Sequence, residues 1–208
     1  MNQKNQLGLN KCFLDLDNPF ELFEKWFDEA KKKEINDHNA LALGTANKGG
    51  IPSVRMVLLK GFDKNGFVFY TNLNSQKGNE LKENPHATMC FHWKSLLRQI
   101  RIVGSLKLVD NKTADEYYNT RAYESRIGAW ASKQSSILKS RDELLNSLES
   151  FKNKYNDKDK VPRPDHWSGW SLKPSSIEFW LDGDNRIHER LKYTLDKNNN
   201  WVKTLLSP

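Results

Sequence analysis

Apolar positions along this chain follow two periods, and the change from one to the other marks the first boundary. Leu22, Phe23, Trp26, Phe27 and Ala30 recur three and four apart, which gathers them on one face of a helix. Asn18 is placed as its N-cap, Pro19 at the first helical position and Glu21 at the capping-box position, with Lys31 to Glu34 as a charged end. Beyond Ala40 the apolar runs shorten and turn residues divide them. Ala40 to Ala46, Ile51 to Lys60, Phe67 to Thr71, Ala87 to Trp93 and Gln99 to Val109 read as strands. Asn47-Lys48-Gly49-Gly50 and Asp63-Lys64-Asn65-Gly66 supply turns, and Ser75 to Glu83 a short helix stopped by Asn84-Pro85.

Helical signals return in the second half. Thr113 to Glu116 form a capping box opening a helix toward Thr120, and Ser125 to Ala131 suggest another. Ser140 opens an amphipathic helix carried by Leu144, Leu145, Leu148 and Phe151. Pro162, Pro164 and Gly169 mark an irregular loop. Ile177 to Leu181, Arg186 to Tyr193 and Trp201 to Leu205 complete the strands, with turns at Asp182 to Asp184 and Lys197 to Asn200. Short strands joined by tight turns favour an α+β fold built on an antiparallel sheet or barrel over βαβ units. Residues 1–17 read as a flexible arm, and residues 18–208 as one domain.

Net charge is +7, from 33 Lys and Arg against 26 Asp and Glu, which favours anionic partners without choosing among them. No apolar run reaches the length of a membrane span. Met1 to Asn10 is polar and lacks an apolar signal core, so a cytoplasmic location is expected. Cys12 and Cys90 are expected as reduced thiols, Cys90 in the core. The five histidines lack metal-site spacing, so no metal is expected; His86 reads as a surface residue and His92 as a core edge. Seven Trp exceed what a plain core requires and suggest a pocket or subunit interface.

Candidate chemistry sits near strand ends. Arg186, His188 and Arg190 alternate, so on an extended strand they line one face and suit an anionic ligand; a solvated basic edge strand fits the same pattern. Arg55 and Lys60 lie in an otherwise apolar run, and each calls for a partner, either a ligand phosphate or an internal carboxylate. Tyr70-Thr71 followed by Ser75-Gln76-Lys77 could seat a phosphate at a helix N-terminus or simply cap the helix. Gln99 is an amide in an apolar strand that needs polar partners. Gly128 to Ser136 is small, polar and aromatic, which suits close approach to a ligand or a second subunit. No P-loop, dinucleotide fingerprint, His-Glu-x-x-His or Gly-x-Ser-x-Gly occurs.

Taken together, six segments closely resemble the pyridoxamine 5′-phosphate oxidase family: Arg-Met-Val-Leu-Leu-Lys (55–60), Phe-Tyr-Thr-Asn (69–72), Arg-Gln (98–99), Ser125 to Ser136, Ile-Glu-Phe-Trp (177–180) and Arg-Ile-His-Glu-Arg (186–190). Their order and spacing agree from about residue 18 onward. The resemblance implies a split antiparallel β-barrel with flanking helices, working as a homodimer with FMN between subunits. It implies FMN contacts from Arg55, Met56, Val57, Leu58, Leu59, Lys60, Tyr70, Thr71, Gln76, Lys77 and Gln99 of one subunit. Gln134, Ser135, Trp180 and Arg190 would come from the other. It further implies that Lys60, Tyr117, Arg121 and Ser125 grip the substrate phosphate. Arg186, Ile187 and His188 would face the substrate, with Arg186 and His188 the catalytic pair. The implied reaction oxidises pyridoxamine or pyridoxine 5′-phosphate to pyridoxal 5′-phosphate, with oxygen as acceptor and hydrogen peroxide as product; ammonia leaves from the amine. Three positions depart from the family pattern. Gln76 stands where an arginine is usual, the N-terminal arm lacks a basic cluster, and Leu205 replaces a frequent arginine. Competing readings are a phenazine-pathway oxidase on the same barrel, a nucleic-acid-binding module, and a flavin or pyridoxal-phosphate carrier without turnover. Dispersed charge and the absence of a recognised binding motif argue against nucleic acid.

Overall fold

The computed structural model describes residues 5–208. The strands are β1 (Ala40–Ala46), β2 (Pro52–Leu58), β3 (Gly61–Asp63), β4 (Gly66–Asn72), β5 (His86–Trp93), β6 (Arg98–Leu108), β7 (Trp167–Leu181), β8 (Glu189–Leu195) and β9 (Trp201–Leu205). All pair antiparallel in one sheet, in the order β2-β1-β5-β6-β7-β4-β3, with β8 beside β7 and β9 beside β8. β2 and β3 stand at opposite ends of that order, yet only Leu59 and Lys60 join them. Two residues span at most about 7 Å, so the end strands must approach and the sheet must curl into a half-closed barrel. The chain thus has the antiparallel split-barrel form expected of it.

The curl is filled from inside. Leu41, Leu43, Phe69, Met89, Phe91, Ile100, Ile102, Ile177 and Phe179 are fully buried. Helix α1 (Pro19–Lys33) lays Leu22, Phe23 and Trp26 on this core, and Phe23 meets Phe62, Phe67 and Phe91 edge-on. Asn18 caps α1 by accepting from the Phe20 N–H, as expected. Helix α2 (Gln76–Glu83) is capped by Ser75, α3 spans Asn111–Asn119, α4 spans Tyr123–Ala131, and α5 (Arg141–Lys154) is capped by Ser140. One buried cluster joins α1, the meander and β7–β8.

Several expectations need correction. Residues 5–17, expected as a flexible arm, are packed: Phe13 is fully buried edge-on to Trp26, whose Nε1 donates to Cys12 O at 2.8 Å, and Tyr193 Oη donates to Leu16 O at 2.8 Å. Burying one such ring is worth about 1.5–3 kcal/mol, enough to tie down a polar segment. The α3 cap is Asp110, three residues before Thr113, whose N–H and hydroxyl both donate to the Asp110 carboxylate. Strand β7 begins at Trp167, so Gly169 lies inside a strand rather than a loop. Strand β8 begins only at Glu189. Residues 184–186 form a 3-10 turn, with left-handed φ of 56° at Asn185 and 64° at Arg186. The row Arg186, His188, Arg190 therefore does not share one strand face. In β5 the alternation turns Met89, Phe91 and Trp93 inward, which leaves Cys90 half-buried and His92 exposed on the outer face. Neither is a core residue.

Candidate active site

A cleft of about 460 Å³ opens where β2, β4, α2, α3 and α4 converge. Lys60, Lys77 and Arg121 line it, and no carboxylate does. Each cation is delivered by a different local device. Lys60 sits just after β2, where the chain crosses between the sheet edges, and its backbone N–H bonds Val68 O. Lys77 lies in the first turn of α2, buried, with Nζ near only neutral oxygens: Gln134 Oε1 at 3.2 Å, Thr71 Oγ1 at 3.3 Å and Ser75 Oγ at 3.5 Å. Burial and the nearby Arg55 charge pull its pKa below the ordinary lysine value, against an opposing pull from Glu80. Arg121 follows α3 and lies over the Trp167 ring at 4.8 Å. Its Nη1 is buried without a hydrogen-bond partner, and burial lowers its pKa. A charged donor left bare inside a protein is costly, and an acceptor reaching this nitrogen would relieve that cost.

Aromatic rings form one wall. Tyr70 stacks on Tyr117 with centroids 4.0 Å apart and on Trp167 at 5.2 Å. Gly169, paired with Tyr70 across β4 and β7, makes this possible, because a Cβ there would lie 2.7 Å from the Tyr70 ring. Flat rings, three cations and hydroxyls suit a planar ligand carrying phosphate.

The structure brings most of the expected residues to this cleft: Met56, Val57, Leu58, Lys60, Tyr70, Thr71, Lys77, Tyr117, Arg121, Ser125 and Gln134. Gln134, expected from a second subunit, meets Thr71 and Lys77 within one chain. Others lie elsewhere. Arg55 bonds the buried Glu80 carboxylate at 3.3 Å and Leu43 O at 3.0 Å, so its partner within the chain is the internal acid. The premise that Lys60 is buried fails, since β2 is an edge strand and Lys60 is exposed. Leu59 is a core side chain whose N–H and C=O both bond Asn39, and it does not line the cleft. Gln76 is exposed and donates to Glu80 Oε1 at 2.9 Å. Ser135 is exposed, with left-handed φ of 68°. Arg186, Ile187 and His188 occupy the turn before β8, outside the cleft.

Gln99, Trp180 and Arg190 form a second grouping. They face one another directly across β6, β7 and β8. Beside them Glu178, 4% exposed, accepts from Arg101 and from Arg190 Nη2 at 2.7 Å. Sequence reasoning missed Trp167, Glu80 and Glu178. Only the Trp count hinted at the first; Glu80 sits in unremarkable local sequence, and Glu178, although inside the Ile-Glu-Phe-Trp segment, was given no role there.

A half-barrel with this anion-seeking, ring-lined cleft defines the split-barrel class of flavin-binding proteins. The profile described as "Pyridoxamine 5′-phosphate oxidase" matches residues 27–155. That of the "Pyridoxine 5′-phosphate oxidase C-terminal dimerisation region" matches residues 167–208. The chain belongs to the pyridoxamine 5′-phosphate oxidase family. It is 71% identical to a pyridoxine/pyridoxamine 5′-phosphate oxidase of Pelagibacter ubique, covering all of both chains. It is 51% identical to a protein of the same name from Allorhizobium ampelinum, over 94% of this chain and 95% of that one. Among solved structures, PhzG from Burkholderia lata, in complex with tetrahydrophenazine-1-carboxylic acid, superposes with a TM-score of 0.87. Identity there is 29%, over 95% of this chain and 96% of that one. An FMN-binding protein related to pyridoxamine 5′-phosphate oxidase, from Nostoc punctiforme, shares the fold with a TM-score of 0.74 at 17% identity, over 92% and 98%.

Proposed function

We propose that this chain oxidises pyridoxamine 5′-phosphate and pyridoxine 5′-phosphate to pyridoxal 5′-phosphate, with FMN as cofactor and oxygen as electron acceptor. Hydrogen peroxide is released, with ammonia in addition from the amine. The observation that carries this reading is the carboxylate-free cleft whose Arg121 Nη1 has no hydrogen-bond partner among the described residues. Lys60, Tyr117, Arg121 and Ser125 grip the substrate phosphate there, and the same four residues favour this substrate over a tricyclic acid without phosphate. Lys77, Thr71 and Gln134 would hold the cofactor, and the N-terminus of α2 would favour its phosphate.

The flavin, when bound, supplies the acceptor for the hydride leaving C4′ of the substrate. The protein supplies position and charge. The phosphate grip fixes the far end of the substrate, and the ring wall aligns its plane.

The site is completed by a second copy. Arg186, His188, Trp180 and Arg190 lie outside the cleft of their own chain, within the dimerisation region. Val54 and Met56 on β2 are 70% and 65% exposed, an apolar edge suited to burial between subunits. In such a dimer Arg186 and His188 would serve the substrate, and Trp180 and Arg190 would help hold the cofactor.

The test mixes purified protein, FMN and pyridoxamine 5′-phosphate in air and follows pyridoxal phosphate and peroxide together. Equal yields of both, lost in the Arg186→Ala, His188→Ala double variant, support the assignment. Tight FMN binding without turnover would move the function to a carrier or to another substrate.

A further inference from the structure

The turn joining β7 to β8 holds a carboxylate–imidazole contact that the scheme above leaves unused. His188 Nδ1 lies 2.9 Å from Asp182 Oδ1. The Gly183 N–H points at the same place, 3.2 Å from Asp182 Oδ1 and 3.3 Å from His188 Nδ1. Two lone pairs repel at such a separation, so a proton must lie between the carboxylate and the ring. An ionised carboxylate has none to give. Nδ1 therefore carries the proton and donates it, and the Gly183 N–H serves the carboxylate. In the neutral form of a ring so oriented, Nε2 at the opposite end is unprotonated.

The local backbone keeps this pair together. Left-handed Asn185 and Arg186 fold the chain back on itself. A Cβ on Gly183 would lie 2.1 Å from Ile187 O, so only glycine fits there. Asp182 is anchored through its N–H to Leu97 O at 2.9 Å, and the Trp180 ring lies 4.7 Å from the imidazole centroid, limiting its rotation.

We propose that Asp182 is a positioning residue for the oxidation. Its carboxylate fixes His188 as the Nδ1–H tautomer, so that Nε2 presents a lone pair to the hydroxyl or amine on C4′. This rests on the reading above that His188 faces the substrate. Orienting partners of this kind fix the tautomer and direction of functional imidazoles, and their loss typically costs about 10- to 100-fold.

Nitrogen NMR of 15N-histidine-labelled full chain, with and without added FMN, reads the tautomer directly. The His188 signals are those that vanish in His188→Gln. The wild type is expected to be protonated at Nδ1. Asp182→Ala is expected to revert toward the Nε2–H form that a solvated histidine side chain prefers. With pyridoxine 5′-phosphate its kcat should fall on the order of 10-fold while KM changes little. Asp182→Asn preserves size and fold, yet its amide can turn a donor toward Nδ1, so the same relaxation is expected. Asp184→Ala removes an equal charge from the same turn without touching the ring, and should leave tautomer and kcat unchanged. A wild-type ring protonated at Nε2, or a tautomer unmoved in both Asp182 variants, would overturn the proposal. So would an equal kcat loss in Asp184→Ala, which would assign the effect to general charge. Full turnover in His188→Ala would instead overturn the underlying assignment of His188 to the substrate. The pair itself would then stand or fall on the tautomer.

Discussion

The bare Nη1 of Arg121 predicts opposite effects on the free protein and on its complex. In the free protein, an unsatisfied buried charged donor costs about 1–3 kcal/mol. The contact with Trp167 at 4.8 Å returns about 0.5–2 kcal/mol. The two ranges combine to about −1 to +2.5 kcal/mol, with a midpoint of under about 1 kcal/mol against the wild type. Arg121→Met keeps an unbranched stem over the same ring and removes the charge. The flavin-free variant should therefore melt near the wild-type temperature or above it. With substrate bound, the lost charge-assisted hydrogen bond is worth about 1.5–3 kcal/mol, roughly 10- to 150-fold in kcat/KM. The assay compares pyridoxamine 5′-phosphate with pyridoxamine, which lacks the phosphate. The variant should lose its activity selectively on the phosphorylated substrate and behave like wild type on the other, since the two changes remove the same interaction. An equal loss on both substrates, or a melting temperature several degrees lower, would show that Arg121 braces the fold.

Three further perturbations test neighbouring parts of the structure. Burial pushes the Glu178 carboxyl up, but its bonds and charge contacts with Arg101 and Arg190 outweigh this and hold its pKa below the ordinary glutamate value. Its contribution is present above the unfolded glutamate pKa of about 4.3 and is lost as pH falls through the lower folded value. The urea-midpoint gap between wild type and Glu178→Gln, largest near neutrality, should therefore close in acid; a gap constant with pH would contradict the pairing. Gly169→Ala drives a Cβ to 2.7 Å from the Tyr70 ring. With about 1–3 kcal/mol of overpacking, FMN binding measured by fluorescence quenching should weaken at least several-fold, and unchanged affinity would separate the ring wall from the cofactor site. Met56→Asp places a charge on the apolar β2 edge and should shift sedimentation toward the monomer while reducing FMN retention; a dimer of wild-type strength would remove β2 from the interface.

How much of this could be read from sequence depended on range. Helix α1 was legible because its cap, its proline and its apolar period all lie within one segment. Most strands of the meander were legible for the same reason. Of strand β7 only Ile177 to Leu181 was legible; its first part was not, because Gly169 after Pro162 and Pro164 looks like a loop residue. Pro174 sits opposite Gly104, where the β6–β7 register shifts, so its missing N–H interrupts a ladder that is already broken. The alternation of Arg186, His188 and Arg190 was real as a pattern, but the left-handed turn residues that disperse it cannot be inferred from period two.

Charge shows the same limit more sharply. A net +7 does not say which cations are spoken for. In the fold, Arg55 is matched by Glu80 and Arg101 and Arg190 by Glu178, partners 25, 77 and 12 residues away in the chain. Lys60, Lys77 and Arg121 line the cleft without a carboxylate. That division decides what a ligand phosphate gains. At Arg121 and Lys77 it meets charges whose desolvation the fold has already imposed and which no internal acid neutralises. At Arg55 or Arg190 it must share or displace an existing pair, so the added attraction is smaller. On the proposed reading, the ligand-holding power of the site resides in the cations the fold leaves unmatched, and only the three-dimensional pairing distinguishes them from the rest.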